Sequence, residues 1–490
     1  PARALPLTLL ATHAPICCLM KFKQMPSVTV SRRDAIRVAS GCAVGTLGVL
    51  GPLWAPGLAQ AAGYGSAAPK NGATRLALLV GNRVYPSPFD LPPVHKNVRD
   101  LKAALEGRGF KVTSSVDQDP DTLRRTAQAF ANDVANAPPD ATVLFYFTGH
   151  GMQIDAENLL LGAGINPSAK EETLNDGSVH FQRDILKALP SRPAGMTMLV
   201  IDACRTSLRA AFDKSDGLNQ VEAPLGCLIA FSTAAGKPAI SPAVETQNTF
   251  YTASLVKLLN SSSDDITFSD LFRLVKTDVQ QTMLNHPVPA IRMVAQNPFI
   301  AENTKVRRRL SPTLTAAAAP ERFDSVDEGE LWRKLEQSTV PGEVAQLATQ
   351  YLARFPKSRL AASAEVARDG ALEADKALRR NDVRLYKSAF VMPQDNEAVR
   401  DDLRKASRGD KDASARIARW YIKGDAGLSK DTNRYEGWMQ YAAALGNGIA
   451  CYELALYYRN QDQPLLAAQF ETRARELGFT PPPSLDHKRK

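Results

Sequence analysis

Cysteine is scarce: the 490 residues hold six, and no two of them are spaced C-x-x-C. A structural zinc site therefore has no support in the sequence. Long apolar runs are also lacking. The most lipid-like stretch, Val38 to Leu53, is Gly-rich, contains Pro52 and is too short to span a bilayer. No compact acidic loop of the kind that holds calcium is present, so no metal or cofactor is expected, and calcium dependence is left open without a site. Charge of one sign is not gathered on one face among aromatics, which excludes a nucleic-acid footprint. With 44% hydrophobic and 23% charged residues, the chain is not disordered wholesale, and its length suits two or three domains.

The formal net charge of +9 is unevenly spread. Six basic residues against Asp34 give residues 1–61 a net +5, leaving +4 for the rest. Within that leader, Ser31-Arg32-Arg33-Asp34-Ala35-Ile36-Arg37 resembles the bacterial twin-arginine signal, followed by an uncharged stretch and Ala59-Gln60-Ala61, an A-x-A-like cleavage site. The resemblance implies export to the periplasm, with no membrane span left after cleavage. A cytosolic protein with a disordered basic N-terminus is the alternative. Met20 and Met25 are candidate starts. Export would remove Cys17, Cys18 and Cys42, leaving Cys204, Cys227 and Cys451, an odd number in a disulfide-permissive compartment.

After a Gly/Ala/Ser-rich linker at 62–74, strands and helices alternate across 75–303. Strands are predicted at 75–81, 110–116, 141–148, 196–202 and 227–232, and helices at 97–108, from Asp119-Pro120-Asp121 to Pro138, and at 181–189, 249–260 and 267–284. The near-continuous apolar pattern of Ala141–Thr148 marks a strand buried on both faces. Such alternation predicts an α/β fold: a mostly parallel sheet flanked by helices, with ligands beyond the carboxyl ends of its strands. Residues 304–328 read as a linker, and its basic cluster Lys305–Arg309 as solvated, like the tail at 481–490 with His487-Lys-Arg-Lys490. Between these lies an all-α region: a helical segment at 329–378 with breaks at Pro341-Gly342 and Phe355-Pro356, then repeats at 379–480. Ala406, Gly409, Ala413, Ala418 and Tyr421 recur 37 residues later as Ala443, Gly446, Ala450, Ala455 and Tyr458. This resembles Sel-like, tetratricopeptide-related repeats, which implies a surface for a protein partner.

Two reactive side chains stand just past strand ends: His150 in Thr148-Gly-His-Gly151 and Cys204 in Asp202-Ala-Cys-Arg205. A thiol attacks a carbonyl as thiolate, and an imidazole beside it can take the proton and return one to the leaving amine. The amides of Gly151 and Cys204 are the candidate oxyanion donors. His95, His180 and His286 lack such context, and Cys227, opening an apolar strand, reads as core.

At these residues the chain is similar to the bacterial caspase-like cysteine peptidases, relatives of metacaspases and paracaspases. The motifs are Ala77-Leu-Leu-Val-Gly-Asn82 with Tyr85, Phe145-Tyr-Phe-Thr-Gly-His-Gly-Met-Gln153, and Leu199-Val-Ile-Asp-Ala-Cys-Arg205. The likeness covers about 75–303 and implies a Cys204–His150 endopeptidase acting on proteins or peptides. It also implies an acidic pocket for Arg or Lys before the scissile bond. Asp202 matches one carboxylate of that pocket. Asn97, neutral here, stands at another, and no acidic residue lies near Gly236-Lys237-Pro238 for a third. Two other readings compete: an inactive caspase-like domain serving as a binding module with its repeats, and a redox protein pairing Cys204 with Cys227.

Overall fold

A computed structural model of the chain describes residues 74–154, 156–203, 206–207 (backbone only), 219–234, 239–311, 323–391 and 396–481. The segment read as an export leader, Cys204 and the terminal basic tail lie outside the described residues. In chain order the elements of the α/β part are β1 (Arg75–Gly81), α1 (Val94–Gly107), β2 (Lys111–Val116), α2 (Pro120–Ala135), β3 (Thr142–Gly149), β4 (Gly151–Ile154), β5 (Glu157–Leu161), α3 (Glu171–Asp176), β6 (Ser178–His180), β7 (Met196–Ala203), β8 (Thr206–Ser207), β9 (Cys227–Phe231), α4 (Phe250–Ser261), α5 (Phe268–Leu284), α6 (Pro289–Met293) and β10 (Phe299–Glu302). The helical part follows as α7 (Val326–Gln337), α8 (Pro341–Arg354), α9 (Ala361–Leu378), α10 (Glu397–Ala406), α11 (Lys411–Lys423), α12 (Thr432–Ala444), α13 (Gly448–Asn460) and α14 (Pro464–Glu476).

The main sheet runs β10-β9-β7-β3-β1-β2, parallel except for β10. Its central strands alternate their side chains between two apolar layers. Leu144 and Tyr146 of β3 face α1, α4 and α5 with Val200 of β7; Val143, Phe145 and Phe147 face α2 with Leu199 and Ile201. Asp119 caps α2 by accepting from the amides of Asp121 and Thr122, as the Asp-Pro-Asp run suggested.

A second sheet, β6-β5-β4-β8, was not anticipated. Its strands have two to five residues, so no period-2 pattern is long enough to read. Antiparallel β10 escaped for the same reason. α1 begins at Val94, three residues before the expected start, and 181–186 is a π-helical turn rather than an α-helix.

The basic cluster at 305–309 is solvated only in part: Lys305 and Arg307 are exposed, whereas Arg308 and Arg309 are drawn in. Arg308 is buried, donating to the carbonyls of Asp140 (2.7 Å) and Ala194 (2.6 Å); Arg309 bridges to Thr267 and pairs with Asp265; Arg307 pairs with Glu336 of α7. Each guanidinium finds a carbonyl or a carboxylate partner, an outcome that composition cannot foretell.

In the helical part the 37-residue spacing corresponds to two equivalent helix pairs, α10–α11 and α12–α13. Gly409 and Gly446 follow their first helices with φ of 79° and 95°, and Asp410 and Asn447, also 37 apart, cap the second ones. Of the ten repeated residues, Ala406, Ala418, Tyr421, Ala443, Ala450, Ala455 and Tyr458 lie in one core, and Ala413 is also buried. This region covers the outer edge of the main sheet. On β10, Glu302 N–H donates to Asp412 (3.1 Å), Ile300 C=O accepts from Lys411 (2.9 Å) and Glu302 C=O accepts from Arg416 (3.1 Å). Buried Glu302 also binds Arg273 (2.9 Å), which reaches Asp410 (3.4 Å). Burial pushes the Glu302 carboxyl up, but Arg273 and Lys405 outweigh it and hold it at about 2. Among the described residues no helix is long and apolar enough to cross a membrane.

Candidate active site

Parallel pairing of β3 with β7 sets Thr148 opposite Asp202 and Gly149 opposite Ala203. After the strands end, β4 and β8 pair in parallel with Met152 opposite Thr206. Partner numbers differ by 54 on both sides of the gap, which is also the separation of His150 and Cys204. His150 therefore lies between two residues whose partners flank Cys204, on strands roughly 5 Å apart. Cys204 itself lies outside the described residues.

His150 is 5% exposed. Its Nε2 lies 2.8 Å from the carbonyl oxygen of Phe89. A carbonyl only accepts, so Nε2 carries the proton and Nδ1 is left with the lone pair. The His150 amide donates to the Tyr85 hydroxyl (3.2 Å), which donates to Leu161 C=O (3.2 Å), and the Tyr85 ring meets the imidazole edge-on at 4.5 Å. Burial keeps Tyr85 protonated for that role. Burial also lowers the His150 pKa, opposed by the Phe89 carbonyl, so the ring is neutral at neutral pH. Gly149 is required here: a Cβ would lie 2.9 Å from both Tyr85 Oη and the Phe147 ring. Sequence reading noted Tyr85 but not Phe89, whose contribution is a backbone carbonyl that no residue type announces.

Gly151 opens β4 opposite Leu160 of β5, and the Leu161 amide donates to His150 C=O (3.0 Å). That bond makes Gly151–Leu160 a non-hydrogen-bonded pair, so the Gly151 N–H is directed away from β5, to the β8 side.

Asp202 is 4% exposed and lies on the α4 side of the sheet. Its Oδ2 accepts from Thr249 Oγ1 (2.5 Å), Thr252 Oγ1 (2.7 Å) and, more weakly, Tyr146 Oη (3.5 Å). Thr249 also caps α4. Burial raises the Asp202 pKa, offset in part by these hydroxyls. Among the described residues no Lys or Arg forms an ion pair with it. Asn97 is fully buried: its Nδ2 donates to Thr148 and Thr249 hydroxyls (3.3 and 3.1 Å) and its Oδ1 accepts from the Thr249 amide (3.1 Å). Its polar atoms thus serve Thr249, and it reaches Asp202 only through that residue. Thr249 and Thr252 are the members of this cluster that sequence reading missed.

The other nucleophile and imidazole candidates lie apart. Cys227 pairs with Thr197, six residues before Ala203 on β7, so it sits roughly 20 Å along the strand from the residue preceding Cys204. A disulfide needs Cα atoms within about 7 Å, so this position overturns the Cys204–Cys227 redox reading. Burial pushes the Cys227 thiol up to about 11 and that of Cys451 to about 12, and both are unpaired core residues. His95 bonds Asp117 (2.6 Å), and His286 stacks edge-on against Phe250. An open depression beside α2, lined by Asp121, Arg124, Asn175, Asp176, His180 and Arg183, does not include His150. Among the described residues no cluster of His, Cys, Asp and Glu is arranged to hold a metal.

Residues 74–309 match the family model of the caspase domain. Among solved structures, the crystal structure of caspase-1 from the insect Spodoptera frugiperda is similar at 18% identity and a TM-score of 0.37, over 49% of this chain and 93% of that one. No curated protein matches the chain. The α/β part has the caspase fold, a mostly parallel sheet flanked by helices, and the helical part lies beyond the family match.

Proposed function

We propose that this caspase-domain protein is a cysteine endopeptidase in which His150 Nδ1 deprotonates Cys204 and Asp202 selects a basic residue before the scissile bond. The family match supports a cysteine-peptidase-like function. The observation that carries the dyad is the register, which brings the residues flanking His150 against those flanking Cys204. In the first step the Cys204 sulfur bonds to the substrate carbonyl carbon and the carbonyl electron pair moves onto oxygen, facing the amides of Gly151 and Cys204. Collapse breaks the C–N bond, and the amine leaves with the proton from His150. Water then attacks the thioester, giving its proton to His150, and the C–S bond breaks to release the acid and the thiolate. The Phe89 carbonyl keeps the imidazole in the tautomer this requires.

A buried carboxylate held, among the described residues, by hydroxyls alone is short of one positive charge, which supports a guanidinium or ammonium as the substrate group. Asn97 then supports Thr249 rather than touching substrate. In this reading the helix pairs are Sel-like repeats for a protein partner and the leader directs twin-arginine export to the periplasm. No metal is assigned a step.

The test is a mixed peptide library offered to the purified chain, Cys204→Ala and His150→Ala, with an electrophilic thiol probe in parallel. Cleavage after Arg or Lys, lost in both variants, with labelling confined to Cys204, is expected. A wild-type chain that neither cleaves nor labels at Cys204 leaves the inactive binding module in its place.

A further inference from the structure

The end of the helical part returns to the strands that frame His150. After α14, Gly478 C=O accepts from the Gln220 amide (3.1 Å), and Leu477 C=O accepts from Gln220 Nε2 (2.8 Å). The same carboxamide donates to Gly446 C=O (3.3 Å) and accepts from the Gly448 amide (2.8 Å), at the turn between α12 and α13. One buried side chain thereby ties the second helix pair to the C-terminal end of α14. Next to it, Asn219 and Thr480 exchange two bonds: Asn219 Nδ2 to Thr480 C=O and Thr480 N–H to Asn219 Oδ1, both 2.9 Å. Thr480 Oγ1 accepts from Gln153 Nε2 (3.1 Å). Gln153 belongs to β4, two residues after Gly151, and pairs with Ser207, three residues after Cys204. Asn219 also bonds Asn158 of β5 (3.1 Å), and Arg419 of α11 pairs with Glu222.

These contacts are dense, largely buried and specific in direction. An interaction scaffold merely appended to a peptidase needs none of them. Surface docking is served by the β10 edge, whereas this set is placed on the short sheet that begins with the oxyanion amide.

We propose that the segment Leu477–Thr480 is a strap that fixes β4, and that Gln220 and Thr480 are positioning residues for the Gly151 amide. The helical part is then a component of the working peptidase. The proposal rests on the endopeptidase reading above. An oxyanion donor acts in the transition state and little in substrate binding, so loosening it lowers kcat and leaves KM nearly unchanged. Alkylation of Cys204 by iodoacetamide needs the thiolate but no oxyanion donor, and separates this effect from a distorted dyad or a loss of folded protein.

The experiment uses the full chain with Gln220→Ala, Thr480→Val and Thr480→Ser, each titrated for reactive Cys204. Expected are a drop in kcat of tenfold or more for Gln220→Ala and severalfold for Thr480→Val, with KM within twofold and the alkylation rate of Cys204 unchanged. Thr480→Ser, which keeps the acceptor for Gln153, restores turnover. If the wild type cleaves and both disruptive variants keep its kcat, the strap is refuted while the peptidase stands. If alkylation falls together with kcat, the strap acts on folding or on the dyad, and the positioning role is refuted. If the wild type itself does not cleave, the peptidase reading fails and this one with it.

Discussion

Replacing Asp202 with Asn removes one negative charge and changes almost nothing in size. In the free protein the carboxylate accepts from two threonine hydroxyls and weakly from Tyr146, is 4% exposed and has no cationic partner among the described residues. A substrate guanidinium arriving there completes a buried ion pair. Removing one member of such a pair costs about 3–5 kcal/mol, which at about 1.4 kcal/mol per decade is roughly 10²- to 4 × 10³-fold in kcat/KM. The loss belongs to the charge, so it is measured as a cycle. Peptides with Arg or with citrulline, its neutral isostere, before the scissile bond are compared on wild type and Asp202→Asn. The wild type is expected to favour Arg strongly, and the variant to treat the two nearly alike while cleaving citrulline peptides about as fast as the wild type does. An Arg-to-citrulline ratio equal in both proteins would refute the pocket. So would faster cleavage after Asp than after Arg by the wild type. Because burial raises the Asp202 pKa, the Arg preference fades at a higher pH than an exposed aspartate would set.

Three further outcomes follow from the geometry. Burial holds the His150 pKa below 6.5, so the acid limb for reaction of Cys204 with a neutral alkylating reagent lies below that value; a limb above 6.5 contradicts the buried, carbonyl-bound ring. Glu302 is stabilised as a carboxylate: its pKa near 2 against the usual 4.5 corresponds to about 3 kcal/mol of folding stability, fully present above pH 4.5 and lost as pH falls through 2. Urea denaturation of Glu302→Gln is expected to show a deficit of about that size at pH 7, shrinking to about 1 kcal/mol at pH 3, whereas a deficit independent of pH assigns the effect to packing. Asp412→Ala with Arg416→Ala strips two of the side chains that occupy the backbone groups of β10, and light scattering is expected to report concentration-dependent association; a strictly monomeric double variant shows that α11 blocks this edge by shape alone.

The strands of the main sheet were legible because burial on both faces writes continuous apolar runs, as in Thr142–Gly149 and Met196–Ala203. His150 was legible as an imidazole at such a strand end, and the helix pairs through alanines and glycines 37 apart. What stayed hidden was chemistry without a residue-type mark. The Phe89 carbonyl orients the imidazole with a backbone atom, Thr249 looks like any helix cap, and β4, β5 and β8 are too short for periodicity to speak. Lys305–Arg309 misled because a run of cations suggests water, yet Arg308 spends its guanidinium on two loop carbonyls.

The constant offset between β3 and β7 has an evolutionary corollary. The excursion from Gly151 to Gly195 can lengthen or shorten at its turns, such as Ala163–Lys170, without moving Gly149 relative to Ala203, since the ladder and not the chain length sets their pairing. A single-residue deletion within β7 is a different matter. It would rotate every following side chain to the opposite face, turning the Asp202 carboxylate from the α4 layer into the apolar layer beneath α2. Homologues should therefore vary freely in the count between His150 and Cys204 and hardly at all in strand phase.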